Sequence, residues 1–584
     1  MAFAIPAAPG TTAIARMRSR WMHLALLLAV ALPLLLIALD LSFLDPDEGL
    51  YGDVASEMLA TGNWVVPAFN GLPYLEKPPL YYWLSMLTLR LDRDGEWALR
   101  IWSAVSALGT VLLAWRIGRR LYSPAAGVMA GLMLATTAGY ALYVRKASTD
   151  FVFVLCLTVA LYGFLRDAVR PDRGRTRFLI FYAGTALALL SKGLIGVAFP
   201  LLIAGITLVW TRRLTRADLN LGRGALVFAA IAVPWHALVA WRRPGLFWFY
   251  IVDNQILRFL GRRAFLEDDV PVTMLAFLVL SFIWFFPWSV FAFARPAGDE
   301  RAAAVWRPLI PIWAVVVIGF FAASGSKLEY YALPAFPALA VMVGAAWTSQ
   351  RDVGRWMVPG LIGCVAVGGA ALWLGARLTP SQALWALAEL NVYYRILREQ
   401  GLPFPFDSVR PFAALLQGLG ATLVIGWTVA AVCWWRGWPR AAFAALAAHG
   451  VVIAALIIGL LYAVEPHHSA KAVAHAIVAR ADPGDVLAHE GSLEYSAALP
   501  FYTRRRIVVV NGARGDLDSA SRLPEASGYF LDTAGFQGLW ARDRRVFLVT
   551  QRPLAVSVAT DLPKASVHLI GCFGSRCLYS NRGN

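Results

Sequence analysis

The chain has 584 residues, 59% of them hydrophobic and only 15% charged, with a mean hydropathy of +0.59. A soluble globular chain carries roughly 25% charged residues, so this composition excludes a soluble protein and points to a polytopic membrane protein. The formal net charge of +17 does not mark a nucleic-acid binder, because the arginines cluster in short loops, RMRSR at 16–20, RIGRR at 116–120, RDAVRPDRGRTR at 166–177 and TRRLTR at 211–216. These loops alternate with acid-richer ones, as the positive-inside rule requires.

The first apolar run, WMHLALLLAVALPLLLIALDLSFL, starts at Trp21; it is too long for a signal-peptide core and lacks a small-residue cleavage site, so a retained helix is expected. Apolar runs able to span a bilayer as helices are predicted at 22–43, 97–115, 124–143, 150–165, 177–190, 193–210, 224–241, 272–294, 308–323, 331–348, 356–376, 412–434 and 441–463. The fold class read from this is an α-helical membrane protein with about thirteen transmembrane helices.

An odd number of crossings puts the two chain ends on opposite sides. With the Arg-rich amino terminus inside, the loops near 118, 170, 216, 300, 353 and 438 fall on the cytoplasmic side. The segments 44–96, 242–271 and 377–411, turns near 146, 191 and 326, and everything after 464 then fall outside. Within the first outer segment, YLEKPPLYYWLSMLTLRL is aromatic and amphipathic and is predicted to lie along the interface. From 465 the runs DVLAHEG, RRIVVVNG, RRVFLVTQ and SVHLIGCFG read as short strands, so residues 465–584 form a predicted soluble α/β domain after a membrane domain of residues 1–464.

Five cysteines are too few for a disulfide framework. Cys156, Cys364 and Cys433 lie in apolar runs and read as small hydrophobes, whereas Cys572 and Cys577 stand open to pairing across a turn in an extracytoplasmic tail.

Two features concentrate charge on the outer side. The first helix ends in LSFLDPDEGLYGDVASEML, which places Asp45, Asp47, Glu48, Asp53 and Glu57 at its mouth. The chain has six lysines against 47 arginines, and four of them, Lys77, Lys146, Lys192 and Lys327, fall at outer helix ends up to 250 residues apart. Ionisable residues converging at a membrane surface read as functional; snorkelling to the interface explains one lysine but not four against the charge bias. With Arg145 and Arg258 the lysines suit a phosphate, while Asp47 or Glu48 and Asp150 supply carboxylates for a general base or for metal ligands.

Weaker signals surround these. Trp64, Tyr74, Tyr81, Tyr82 and Trp83 read either as sugar-stacking residues or as interfacial belt aromatics. Asp253 and Asn254 are substrate-contact candidates on the outer segment. His467 and His468 read as part of a linker rather than a metal site, and Glu494 with Tyr495 as a helix start in the tail.

The segments DEGLYGDVASEMLATGNWVVP, GLPYLEKPPLYYW, SKGLIGVAFP, PWHALVAW, FWFYIVDNQILRF and SGSKLEYYALPAFPAL, in that order, resemble the lipid-linked-sugar glycosyltransferases of the type C (GT-C) fold, the broad group that contains protein O-mannosyltransferases. Within it the chain is most similar to bacterial 4-amino-4-deoxy-L-arabinose transferases acting on lipid A. The resemblance covers about 45–340, and its most specific part is DE followed 29 residues later by EKP. It implies Asp47 and Glu48 as the first-loop acidic pair, with Asp47 the catalytic carboxylate, and Asp150 as the second outer acid. It also implies Glu76, Lys77 and Pro78 as the EKP motif, and Lys327, Leu328 and Tyr331 as the later KLPxY-like segment. The implied donor is a sugar on undecaprenyl phosphate, and the implied acceptor is lipid A or another envelope molecule at the periplasmic face of the bacterial inner membrane, with membrane lipids as further partners.

The chain departs from the family pattern twice. Leu50 stands where these transferases read an arginine in DETRY, and Gln255 where they carry a histidine before the xxRF pattern. Metal-free and divalent-metal mechanisms both stay open, with Asp47 and Glu76 as the ligand candidates. Three competing readings are a flippase for a polyprenyl-linked substrate, a type C transferase acting on protein or another glycan, and a non-catalytic scaffold. The flippase predicts charges near the midplane and two repeated halves.

Overall fold

The structure is a computed structural model that describes residues 9–169, 171–213, 219–262, 272–296, 302–350, 352–388, 392–399, 401, 403–512 and 515–583. Parts of the predicted loops near 170, 216, 300 and 353 and of the outer segment 242–271 lie outside the described residues. Each of the thirteen apolar runs coincides with helix. Among the described residues, seven helices are long and apolar enough to cross a membrane, and six more apolar helices are 10–17 residues long.

In chain order the membrane part comprises α1 (Pro9–Leu36), α2 (Asp47–Thr61), the hairpin β1 (Ala68–Phe69) and β2 (Leu72–Pro73), α3 (Leu80–Leu89), α4 (Trp97–Leu121), α5 (Pro124–Ala135), α6 (Ala138–Tyr143), α7 (Thr149–Val169), α8 (Leu179–Lys192) and α9 (Ile195–Trp210). It continues with α10 (Leu221–Arg242), α11 (Pro244–Trp248) running into a π-helical stretch Phe249–Leu257, α12 (Met274–Trp284), α13 (Leu309–Ala323), α14 (Phe336–Ser349), α15 (Val353–Ala376), α16 (Pro380–Ala388), α17 (Val392–Glu399), α18 (Arg410–Trp435) and α19 (Pro439–His468).

Two predicted runs are broken, and the breaks meet. The run 124–143 divides at Thr136 and Thr137, where the Thr137 hydroxyl caps α6 by accepting from Tyr140 N. The run 272–294 ends as α12 at Trp284, and the Phe286 carbonyl accepts from Ala138 N at 3.0 Å. The indole of Trp288 donates to Thr136 Oγ1 at 3.0 Å. Polar backbone freed at both breaks is thus satisfied inside the protein, which hydrocarbon demands. The first helix also stops earlier than expected, at Leu36 rather than near 43, because Leu39, Leu41 and Ser42 carbonyls turn to Arg100.

The tail begins after α19, four residues beyond the expected boundary, with α20 (Lys471–Val478). Its sheet comprises β3 (Val486–Glu490), β4 (Ile507–Val510), β5 (Phe530–Leu531), β6 (Val546–Thr550), β7 (His568–Phe573) and β8 (Arg576–Ser580), ordered β5-β4-β3-β6-β8-β7. The first four of these pair in parallel, and β8 and β7 add an antiparallel edge closed by a Cys572–Cys577 disulfide. Parallel neighbours need helical crossovers; α21 (Leu499–Thr503), α22 (Asp518–Ser521) and α23 (Thr533–Trp540) lie between the strands.

The tail sits directly on α2. A Cβ at Gly49 would lie 2.2 Å from Ala498 N, and one at Gly52 about 3.1 Å from the Phe43 ring, so the GLYG spacing of α2 lets it approach the tail backbone. Asp45 accepts from Ala498 N (2.9 Å) and from Arg576 (2.8 Å), and Asn70 exchanges two hydrogen bonds with the Ile507 backbone. Lys471 and the Tyr502 hydroxyl both reach Glu96, at 2.7 and 2.9 Å.

Asp53, on the buried face of α2, accepts from Asn70 N at 2.8 Å. Burial, then the neighbouring Glu57, pushes its carboxyl up to about 8, against the Asn70 bond. The native state therefore keeps a proton that the unfolded chain sheds near pH 4, so this group's contribution is full below about pH 4 and is lost as pH rises to about 8. The loss amounts to at most about 1.4 kcal/mol per pH unit. Thermal unfolding between pH 5 and 9 should show Asp53→Asn with a flatter profile than wild type and a higher Tm at pH 8–9.

Candidate active site

The loops predicted to lie outside meet beneath the tail. Asp47 opens α2, where a carboxylate is favoured by the helix dipole, and its Oδ2 lies 3.1 Å from Lys146 Nζ, both side chains about one-third exposed. Glu48, one residue on, points the other way into a fully buried seat. Its carboxylate takes two bonds of 2.8 Å from the Arg100 guanidinium, one of 2.7 Å from Ala147 N and one of 3.0 Å from Leu44 N. Arg100, in the first turns of α4, also donates to the Leu39, Leu41 and Ser42 carbonyls. Through Ala147, Glu48 holds the turn that carries Lys146, so one buried pair positions both members of the exposed pair.

A second pair forms between Asp150, in the first turn of α7, and Lys192, at the end of α8. The Lys192 ammonium stands 4.5 Å from the Tyr331 ring centroid and 5.7 Å from that of Tyr330; Lys146 stands 5.4 Å from Tyr330. The third group centres on Glu76, which accepts from Arg258 (3.1 Å) and the Tyr74 hydroxyl (2.7 Å) and lies 3.4 Å from Lys77. Asn254 donates to the Glu76 carbonyl at 2.6 Å and accepts from Arg258 at 3.2 Å.

These three groups share one space. Tyr51 is pushed well above the ordinary phenol range by burial, then by Asp47, Tyr82, Glu76 and Asp150. Tyr330 is raised likewise by burial, then by Asp47 and Asp150. Burial opposes charge on Lys146, yet Asp47 and then Glu329 hold it above the ordinary lysine value. The charges of Lys77 and Arg258 in turn bear on Lys192. Lys327 lies half-buried on the segment leading to Tyr330, beside Ser326, which accepts from Arg258 at 3.3 Å.

The structure thus brings together Asp47, Glu76, Lys77, Lys146, Asp150, Lys192, Asn254 and Arg258, with Tyr331 against Lys192. Four expected residues sit elsewhere, among them Glu48, the expected partner of Asp47, whose carboxylate is buried against Arg100. Arg145 is consumed by the Ala141 and Leu34 carbonyls, and Tyr81 is fully buried with its hydroxyl donating to Leu99 O at 3.0 Å. Tyr82, also fully buried, packs against Tyr51 and Tyr81. Leu50 is a core residue of α2, and Gln255 accepts from Leu194 N at 3.2 Å. His467 and His468 both meet the Tyr394 hydroxyl, at 3.2 and 2.7 Å, and Glu494 and Tyr495 lie in a short 3-10 turn.

Sequence reading missed Arg100, Tyr51 and Tyr330. An arginine inside an apolar helix was the available signal for Arg100; the tyrosines carried none. The donor set does not suit a divalent metal: Asp47, Glu76 and Asp150 each face a lysine or arginine, and hard cations need several free oxygens. No group of three His, Cys, Asp or Glu residues is placed to hold a metal among the described residues.

Residues 76–237 match the family model for dolichyl-phosphate-mannose-protein mannosyltransferase. The undecaprenyl phosphate-α-4-amino-4-deoxy-L-arabinose arabinosyl transferase of Pseudomonas aeruginosa is 30% identical over 540 residues, 87% of this chain and 90% of that one. The chain belongs to this transferase family. A Pseudomonas fluorescens enzyme of the same description is 29% identical over 364 residues, 58% of this chain and 65% of that one. The crystal structure of ArnT from Cupriavidus metallidurans bound to undecaprenyl phosphate superposes with a TM-score of 0.77, covering 96% of this chain and 98% of that one at 24% identity, and so shares the type C fold. As a family member the chain is a multi-pass membrane protein and a polyprenyl-phosphate-sugar-dependent glycosyltransferase.

Removing one side of the Arg100–Glu48 pair leaves a buried charge unpaired, which costs about 3–5 kcal/mol. Arg100→Met should lower thermal stability in detergent by that order, and the double variant Arg100→Met with Glu48→Met should recover part of it.

Proposed function

We propose that the protein transfers 4-amino-4-deoxy-L-arabinose, or a closely related sugar, from undecaprenyl phosphate to lipid A or another envelope acceptor at the periplasmic face. The observation that carries this is the meeting of cations and carboxylates from five outer segments in one space, as a phosphate leaving group beside an acceptor requires. Lys77, Lys192 and Arg258 face the donor phosphate, with Tyr331 packed against Lys192 and Lys327 at the rim. Asp47, oriented by Lys146, faces the acceptor, and Glu48 acts as a positioning residue.

In the reaction the acceptor oxygen attacks the anomeric carbon as the bond from that carbon to the phosphate oxygen breaks. The electron pair leaves with undecaprenyl phosphate, whose growing charge the cations stabilise in place. Any proton on the acceptor passes to Asp47, and a single displacement inverts the anomeric centre. An acceptor that is already an ionised phosphate needs little base, so the contribution of Asp47 falls below the roughly 10²–10⁴ typical of general bases.

The orientation has two supports. Arg-rich loops mark the opposite face as cytoplasmic, and the Cys572–Cys577 bond in the tail suits an oxidising compartment. With the tail periplasmic and the amino terminus inside, residues 465–584 cap the site from the outer side.

Mass spectrometry of lipid A from a host lacking its own sugar transferases tests the assignment. Wild type should add one aminopentose mass; Lys77→Ala with Arg258→Ala should abolish it, and Asp47→Asn should reduce it by ten- to a hundred-fold. Wild type adding nothing to lipid A, with the donor present in the host, would sink the assignment of this acceptor.

A further inference from the structure

The outer end of α10 is shaped by Arg242 and Arg243, after which Pro244 starts α11. Between this corner and the tail lies a groove of about 440 Å³ lined by Arg242, Arg243, Leu246, Trp248, Ser519 and Leu523. It is separate from the ion-paired groups of the active site and plays no part in the displacement step.

Three observations define what it would hold. Two adjacent arginines stand on the outer side, where the charge bias disfavours them. Arg242 is exposed and makes no hydrogen bond or ion pair among the described residues, while Arg243 shares a 2.8 Å pair with Glu525, both more than one-third exposed at 37% and 44%. Trp241 and Trp248, 78% and 52% exposed, flank the corner as aromatic residues do at headgroup depth. Finally, Leu246 and Leu523 pack in one apolar cluster with Leu75, Trp83 and Tyr250, so the groove shares a wall with the segment that carries Glu76 and Lys77. The helix that starts in the groove continues through the π-helical stretch to Asn254 and Arg258.

We infer that this groove seats a phosphate of the lipid acceptor, with that phosphate on Arg242 and Arg243 and the acyl chains leaving past Trp241 and Trp248. The inference rests on the lipid A reading above and extends it. Lipid A is an acylated diglucosamine with a phosphate at each end, so one phosphate can be anchored here while the other reaches the active site. The acceptor fits better than bulk phospholipid because Ser519 and Leu523 of the tail form part of the groove, and its wall packs against the segment that carries Glu76 and Lys77.

The test is lipid binding by native mass spectrometry of the full chain in phosphatidylcholine nanodiscs, titrated with hexa-acylated lipid A. Loss of each charge-assisted phosphate contact should weaken binding roughly tenfold, so Arg242→Ala with Arg243→Ala should bind about a hundred-fold more weakly. Undecaprenyl phosphate binding should stay unchanged, which also reports correct folding. Glu525→Gln keeps both arginines and should bind lipid A at least as tightly. The single Arg242→Gln, at an exposed side chain, should show the roughly tenfold loss even if the double variant misfolds. Unchanged lipid A affinity in these variants would overturn the inference, as would phosphatidylglycerol competing as well as lipid A. Arginine-dependent lipid A binding without sugar transfer would sustain the groove and fault only the proposed reaction.

Discussion

The face of the membrane domain that meets the tail depends on one buried ion pair, Arg100 with Glu48. A guanidinium in the first turns of a membrane helix is costly to bury, and here every donor direction is used. Two go to the Glu48 carboxylate, and the rest turn the chain after α1 back on itself through three carbonyls. Glu48 completes its shell with backbone from its own loop and from Ala147. That arrangement fixes where α2 begins, hence where Asp47 points, and fixes the turn bearing Lys146. A pair of this kind adds little net stability over an apolar substitute; its value is the geometry it imposes.

The charges of the candidate site are organised differently. Asp47 with Lys146, Asp150 with Lys192, and Glu76 with Arg258 are paired across loops, and Glu76 also meets its neighbour Lys77, so each cation is held in place before any phosphate arrives. A preorganised field of this sort costs no reorganisation during the reaction. The same pairing explains why the carboxylates offer no open ligand shell for a metal. The tail contributes from above: Arg576 and Ala498 hold Asp45, two residues before Asp47, so the soluble domain braces the acidic loop as well as covering it.

The membrane helices were legible because a bilayer imposes length and polarity on every span. The paired breaks near 136 and 286 were not, since their polar groups are satisfied by residues about 150 positions away. The lysines at 77, 146 and 192 could be read as convergent because they defied the charge bias. Arg145 looked equivalent on the same grounds, yet its guanidinium serves two carbonyls; sequence predicts the side of the membrane a residue occupies but not the direction it faces. Tyr81 and Tyr82 turn inward for the same reason, both fully buried in α3. Tyr51 and Tyr330 are adjacent to residues that sequence did mark, but only packing shows that they stand between the charged groups.

The central claim is that Lys77 and Arg258, drawn together by Glu76, form the phosphate seat. Binding of undecaprenyl phosphate to the purified full chain tests it most directly, in wild type, Lys77→Ala, Arg258→Ala and the double variant. The account predicts roughly tenfold weaker binding for each single variant and a larger loss for the pair. Wild-type affinity in a folded double variant would contradict it.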